Sequence, residues 1–176
     1  LDTLKIASLT IGEKSIDFQQ TLNYYAKVDT FSISEDADIK SQAYILDKLS
    51  KYNLVIVSVH KSNANAWKDY KISKNTDIFL QTIALQSKVV VTIFANPYSV
   101  NSFLFTANFD GILLGYQNSI FAQRIVAQSI FGGNSIRGSI PVSTKHFDMG
   151  TGINTDSIRL SYSLDLTSSF NKVLEF

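Results

Sequence analysis

Few residues in this chain have chemistry to offer. There are two histidines, His60 and His146, one tryptophan, Trp67, and no cysteine. His60 closes an almost continuous apolar run, Leu54 to Val59, and is followed by Lys61, Ser62 and Asn63. A general base needs a carboxylate or hydroxyl partner within hydrogen-bond reach. Nothing in the sequence supplies one specifically, so the favoured reading is a histidine at the rim of a sheet, hydrogen-bonded to backbone. His146 lies two residues before Asp148, which on a strand puts both on one face. Two ligands fall short of a metal site, and none is assigned. Gly12-Glu13-Lys14-Ser15 stands between a strand-like run and a helical one, where a phosphate would meet a helix N-terminus. It has neither the Walker spacing nor the three-glycine dinucleotide spacing, and it reads as a tight turn. Without cysteine, disulfides and thiolate metal sites are excluded. No cofactor is implied.

These residues are punctuated by alternating strand and helix patterns. Leu4 to Thr10 is an apolar run of strand length, and Ser15 to Lys27 carries Phe18, Leu22, Tyr25 and Ala26 on one helical face. Val28 to Ile33 is short and β-rich. Asp38 to Lys51 repeats the helical spacing through Ile39, Ala43, Leu46 and Leu49. Leu54 to Val59 is β-branched, as a strand covered on both faces must be. Asn75 or Thr76 is expected to cap a helix running to Ser87 and burying Phe79 and Ile83. Lys88 to Ala95 is the strongest strand, Pro97 opens a short helical turn, and Gly111 to Tyr116 is a further buried strand. Ser119 caps a helix to Phe131 with Ala122, Ile125, Val126 and Ile130 inward. Five β-α units imply an α/β three-layer sandwich: a mostly parallel, doubly wound (flavodoxin-like) sheet of about six strands with helices on both faces. The sixth strand is expected at an edge around Arg137 to Ser143, where Pro141 does least harm. The sandwich domain is placed at 1–152. Residues 153–176, with Leu160, Tyr162, Leu164 and Leu166 alternating, are expected to be an edge strand or a tether to a following domain.

In such a sheet, sites form at the carboxyl ends of the strands. Those ends present Gly12 and Glu13, then His60 to Asn63 with a long connection that includes Trp67, Asp69 and Tyr70, then Asn96-Pro97-Tyr98-Ser99, then Tyr116-Gln117-Asn118. His60, Lys61, Trp67, Asn96, Tyr98 and Tyr116 form a polar, aromatic rim suited to stacking on sugar rings or docking another domain. Trp67 divides equally between filling a gap and facing a ligand or partner. Phospho-receiver chemistry is not indicated, because the positions for its acidic groups hold Ser8, Leu9, Thr10 and His60. The composition, 45% hydrophobic and 18% charged, is that of a globular domain. A net charge of +1 gives no field directed at nucleic acid or anionic membrane. No apolar run approaches the ~20 residues of a membrane span. The abrupt strand-like start without an initiator Met is read as a fragment or processed product, whose targeting segment would lie elsewhere.

Five of the eight glycines lie between Gly132 and Gly152. The stretch Phe131-Gly132-Gly133 through Gly138-Ser139-Ile140-Pro141-Val142-Ser143 to Phe147-Asp148-Met149-Gly150-Thr151-Gly152 resembles a signature of the second domain of glycoside hydrolase family 3. Val89 to Tyr98, ending in Asn96-Pro97-Tyr98, resembles one of that domain's strands, and Ile112 to Asn118 resembles the strand before its last helix. The resemblance covers roughly Leu4 to Gly152. It implies an enzyme that cleaves β-linked sugars with retention, its Asp nucleophile carried by a preceding TIM-like barrel. In the β-glucosidase branch the second domain lends a Glu acid/base from the loop after its third strand. In the β-N-acetylglucosaminidase branch a His-Asp pair in the barrel serves instead. The matching loop here, His60 to Asp77, contains no Glu; its carboxylates are Asp69 and Asp77. Asp77 suits a helix start, which leaves Asp69 as a weak catalytic candidate, since a retaining pair must stand about 5–5.5 Å apart. The resemblance therefore implies a non-catalytic companion to a barrel of the N-acetylglucosaminidase type, acting on amino-sugar glycans and extracytoplasmic or periplasmic. Ser157 to Ser163 resembles the end of this domain in proteins where a β-lactamase-like domain follows. A free-standing flavodoxin-like domain holding a small ligand near Gly12, His60 and Asn96 is the remaining alternative.

Overall fold

The computed structural model describes residues 4–13, 16–64, 67 and 70–158. Its elements are β1 (Ile6–Gly12), α1 (Ile16–Asn23), β2 (Val28–Ile33), α2 (Ile39–Leu49), β3 (Leu54–His60), α3 (Lys74–Ala84), β4 (Lys88–Phe94), a 3-10 helix (Pro97–Ser102), β5 (Gly111–Leu114) and α4 (Ile120–Ile130). The described strands form one parallel sheet in the order β2-β1-β3-β4-β5. Parallel neighbours require crossovers, and the crossovers lay helices over both faces. The strand order reverses between β1 and β3, so the fold is the expected doubly wound, flavodoxin-like sandwich with its switch point there.

Strand parity sorts the core. Odd-numbered residues of β1, β3 and β4 (Leu9, Ile11, Val57, Val91 and Ile93 among them) pack under α2 and α3 with Leu49, Phe79, Leu80 and Ile83. Even-numbered residues Ile6, Ile56 and Phe94 pack under α1 and α4 with Phe18, Leu22 and Ala127. This second face also buries the small hydroxyls Ser8, Thr10, Ser58 and Thr92. Thr10 and Ser58 share a hydrogen bond of 3.2 Å, and Thr92 donates to the Val57 carbonyl at 2.8 Å. Gln19 of α1 donates to the Phe31 carbonyl at 2.9 Å and to the Ser8 carbonyl at 3.1 Å, tying the helix across β1 and β2. Leaving any of these groups unpaired would cost about 1–3 kcal/mol.

Several expectations need correction. α2 turns an overlapping face inward: Leu49 is buried and Leu46 packs against the core as expected, but Ile45 is buried as well, and Ile39 and Ala43 are exposed. Asp38 caps that helix at Ser41 N–H, so Ile39 falls in the first turn, outside the buried stripe. α3 starts at Ser73, whose Oγ accepts from Thr76 N–H at 3.0 Å, rather than at Asn75 or Thr76. β5 ends at Leu114 and is only half-buried, as an edge strand is. In α4, Gln123 and Ala127 are the buried residues, while Ile125 is exposed. Residues 137–143 make no ladder. The Ile140 N–H goes to Thr151 and its carbonyl accepts from Gly150, both at 2.8 Å, and Pro141 has no N–H to give. The sheet therefore has five strands among the described residues, against about six expected.

The glycine-rich signature begins as a helix stop. Gly132, at φ 74°, donates to Ser129 at 3.1 Å while Gly133 donates to Gln128 at 2.8 Å, the paired bonds of a Schellman cap. Beyond it, Ile136 and Thr155 pair in an antiparallel bridge, and Ile158 N–H donates to the Gly132 carbonyl at 2.9 Å. Residues 153–158 are thus tied back onto the end of α4. Leu160, Tyr162, Leu164 and Leu166, expected in an edge strand or tether, lie outside the described residues.

Candidate functional site

The even parity that buries Ile56 and Ser58 also buries His60. Its side chain, 1% exposed, lies beneath the rim rather than on it, and its partner is a side chain rather than backbone. The imidazole stacks on Phe94 (centroids 4.7 Å apart, 17° between planes) and meets the edge of Phe18 at 6.3 Å. Nδ1 lies 2.9 Å from Asn118 Oδ1. That amide oxygen is fixed as an acceptor, since Asn118 Nδ2 donates to Glu13 Oε2 at 3.0 Å and Gln123 Nε2 donates to Asn118 Oδ1 at 2.7 Å. His60 therefore carries its proton on Nδ1. Nε2 is buried with no hydrogen-bond partner. Burial holds its pKa down to about 4, against small opposing effects from the Asn118 bond and the Glu13 charge. Such a histidine is neutral at pH 7.

Asn118 stands where three strand ends meet. Its backbone N–H donates to Asn63 Oδ1 at 3.0 Å, and its carbonyl accepts from Asn63 Nδ2 at 2.9 Å. Below it Gly12, at φ 94°, pairs in register with His60, and Glu13 N–H donates to the His60 carbonyl at 3.2 Å. The switch-point crevice is thus occupied by the chain's own hydrogen bonds. The sequence named Gly12 and Glu13 as a strand end and tight turn, and Asn118 only as a strand end. The strand-to-helix position just before the cap Ser119 was the one signal available for Asn118.

The other rim candidates fall into two groups. Lys61 and Asn96 have side-chain partners within the chain. Lys61 Nζ pairs with Glu35 Oε2 at 2.7 Å, joining the ends of β3 and β2, and Glu35 Oε1 also accepts from Ser73 N–H at 3.3 Å. Asn96 Oδ1 accepts from Tyr98 N–H at 3.1 Å and so caps the 3-10 helix. Trp67, Tyr98 and Tyr116 present exposed aromatic surface. Tyr98 lies 6.4 Å from Tyr70, ring to ring. Exposed Ile16, Ile120 and Phe121, at the starts of α1 and α4, adjoin the same end of the sheet and were not anticipated.

Tyr116 carries the chain's positive-φ conformation outside glycine among the described residues, at φ 61°. It is the centre of a tight turn that Gln117 N–H closes onto the Gly115 carbonyl at 2.7 Å. A left-handed side chain costs about 1 kcal/mol relative to glycine. Tyr116→Gly is therefore expected to unfold at a higher urea midpoint than Tyr116→Ala, by about 1 kcal/mol. Equal midpoints would show that the turn stores no strain.

Asp77 is fully buried in the first turn of α3. Its Oδ2 accepts from Leu104 N–H at 3.0 Å and its Oδ1 from Gln81 at 3.1 Å, which anchors the loop before β5. Asp69 lies outside the described residues, as do Lys14 and Ser15. His146 Nε2 bonds the Phe103 carbonyl at 2.8 Å.

Compared by sequence, the chain matches no family model and no curated protein. Compared by structure, it superposes on part of a glycoside hydrolase family 3 β-N-acetylglucosaminidase from Paenibacillus sp. str. FPU-7. The TM-score is 0.59 at 15% identity, over 74% of this chain and 25% of that one. It also superposes on part of a fungal multi-domain family 3 β-N-acetylglucosaminidase in which a GCN5-related glucosamine N-acetyltransferase region exists. There the TM-score is 0.65 at 20% identity, over 88% of this chain and 17% of that one. The chain spans a quarter or less of either enzyme's length, and the likeness is one of fold. The fold expected from the resemblance is one that these enzymes contain.

Proposed function

We propose that this chain is a non-catalytic companion domain of a family 3 glycoside hydrolase of the β-N-acetylglucosaminidase type, which packs through its carboxyl rim on a TIM-like barrel and serves an enzyme of amino-sugar glycans such as peptidoglycan fragments. The observation that carries this reading is the fate of His60 and Asp77, described residues of the connection from which a second domain would lend an acid/base. Asp77 is buried and bonded to Leu104 N–H, and His60 is buried, neutral and without a route to solvent for its free nitrogen. A proton-transfer group must reach the substrate, and neither of these does. The exposed aromatics Trp67, Tyr98 and Tyr116 suit the centre of a domain interface.

The purified chain is expected to show no turnover of an aryl N-acetylglucosaminide, at enzyme concentrations where the full-length protein is readily measured. Turnover by the chain alone would end the non-catalytic reading. Asp69→Ala in the full-length protein is expected to leave kcat unchanged. A fall of about 100-fold or more, the scale of general acid–base catalysis, would assign the acid/base to Asp69 and favour the β-glucosidase arrangement.

A further inference from the structure

We propose that Asn63 and Asn118 are positioning residues that latch the strained turn after β5 to the connections leaving β1 and β3, so that the carboxyl rim is held as one preformed face. This goes beyond the reading of the rim as an interface and does not depend on which partner the rim takes.

Three chain segments remote in sequence meet at this rim. Glu13, Asn63 and Asn118 follow β1, β3 and β5, and no ladder hydrogen bond extends to these residues' side chains. Asn63 grips the backbone of Asn118 on both sides, its Oδ1 accepting the N–H at 3.0 Å and its Nδ2 donating to the carbonyl at 2.9 Å. That grip fixes the peptide two residues beyond Tyr116. The Asn118 side chain then works in the other direction. It donates to Glu13 Oε2 at 3.0 Å and accepts from His60 Nδ1–H at 2.9 Å and from Gln123 at 2.7 Å. Two asparagines thus join the β1, β3 and β5 ends and the first turn of α4.

The second observation is the strain itself. Tyr116 sits at φ 61° with Gln117 N–H closed back onto Gly115. A non-glycine residue persists there only where its surroundings over-determine it. On the near side, Gly115 N–H is bonded to the Ile93 carbonyl at 2.8 Å, and a Cβ at Gly115 would meet the Phe94 ring at 2.5 Å. On the far side, the fixing contacts are those of Asn118. Remove the latch and the turn can relax, taking Tyr116 out of its place beside the Ser139 carbonyl, to which its hydroxyl donates at 3.4 Å.

The test is residue-resolved amide hydrogen exchange on the whole chain carrying Asn63→Ala, with Asn118→Ala as a second variant. Asn63 is exposed, so its replacement leaves the core intact. Exchange at the bonded amides of Gln117 and Asn118 should accelerate about fivefold, the factor that one ordinary hydrogen bond of about 1 kcal/mol is worth, while the amides of β1, β3 and β4 keep the parent's rates. Asn63→Asp keeps the acceptor and loses the donor, and should fall between parent and Asn63→Ala. In a Tyr116→Gly background, where the turn is no longer strained, the effect of Asn63→Ala should shrink to about threefold or less. Unchanged exchange at these amides in both alanine variants would overturn the proposal. So would acceleration spread evenly through the core strands, which would mean a general loss of stability with no positioning role.

Discussion

Gly12→Ala should destabilise the domain by roughly 3 kcal/mol, a large fraction of the 5–15 kcal/mol typical of a domain. Two costs add. A side chain at φ 94° occupies backbone space that L-residues avoid, at about 1–2 kcal/mol. The new Cβ would also fall on the His60 carbonyl oxygen, closer than real Cβ atoms approach anything. That neighbour is backbone in the central strand β3, so it cannot swing aside as a side chain could. Relief requires the ends of β1 and β3 to part, which breaks the 3.2 Å bond from Glu13 N–H to the His60 carbonyl and costs about 1 kcal/mol more. The effect should read as a lowered urea midpoint with an unchanged m-value. A midpoint within about 0.5 kcal/mol of the parent's, the scatter of innocuous surface changes, would mean that the β1–β3 register at Gly12 is wrong.

The second large effect is acid sensitivity contributed by His60. In the unfolded chain its pKa is the ordinary 6.5, and in the fold it is about 4. The folded value is the lower one, so between these limits the unfolded state binds the extra proton, and stability rises with pH across the window. The contribution is whole above pH 6.5, declines as pH falls towards 4 and levels off below. The difference of 6.5 − 4 units corresponds to roughly 3 kcal/mol at most, at 1.36 kcal/mol per unit. The physical cause is plain in the packing: protonation places an N–H and a charge at Nε2, in a pocket walled by Phe94 and Phe18 that offers it no acceptor. His60→Phe keeps the ring stack and leaves Asn118 Oδ1 its bond from Gln123. Its stability should vary less between pH 6.5 and 4 than the parent's, by that same ~3 kcal/mol. Unfolding free energies of parent and variant that run parallel over this window would exclude a buried neutral His60. Carboxylates remote from His60 act on both proteins and cancel in the difference.

Legibility in the sequence followed the range of the interaction. Leu54 to Val59 and Lys88 to Ala95 read as buried strands because a strand covered on both faces is apolar along most of its length, and Ser119 read as a cap because capping is satisfied within three residues. The helical face of α2 was legible only in part. Of Ile39, Ala43, Leu46 and Leu49, the last two pack on the core, and only the fit against the odd face of the sheet brings in Ile45 and leaves Ile39 and Ala43 in solvent. Arg137 to Ser143 has strand-like residues, yet Ile140 spends its donor and acceptor on Gly150 and Thr151 within the same loop.

The candidate site shows the same division. Parity already implied that His60, two residues beyond Ser58 and four beyond Ile56, points to the inner face, although its place after the apolar run made it look like a rim residue. Its partner could not be read in this way. Asn118 lies 58 positions away in sequence and reaches it only because β5 is brought to β4, and α4 over the sheet, by two crossovers. By itself, the sequence determined the alternation of elements, the near-continuous apolar character of the central strands and the absence of Glu between His60 and Asp77. The tertiary structure alone decided that His60 is buried and neutral, that Lys61 pairs with Glu35, that Asn96 caps the 3-10 helix, and that Glu13, Asn63 and Asn118 close the switch point together. The former are local consequences of period and chirality. The latter depend on which strand ends a doubly wound sheet makes neighbours, and no local pattern carries that information.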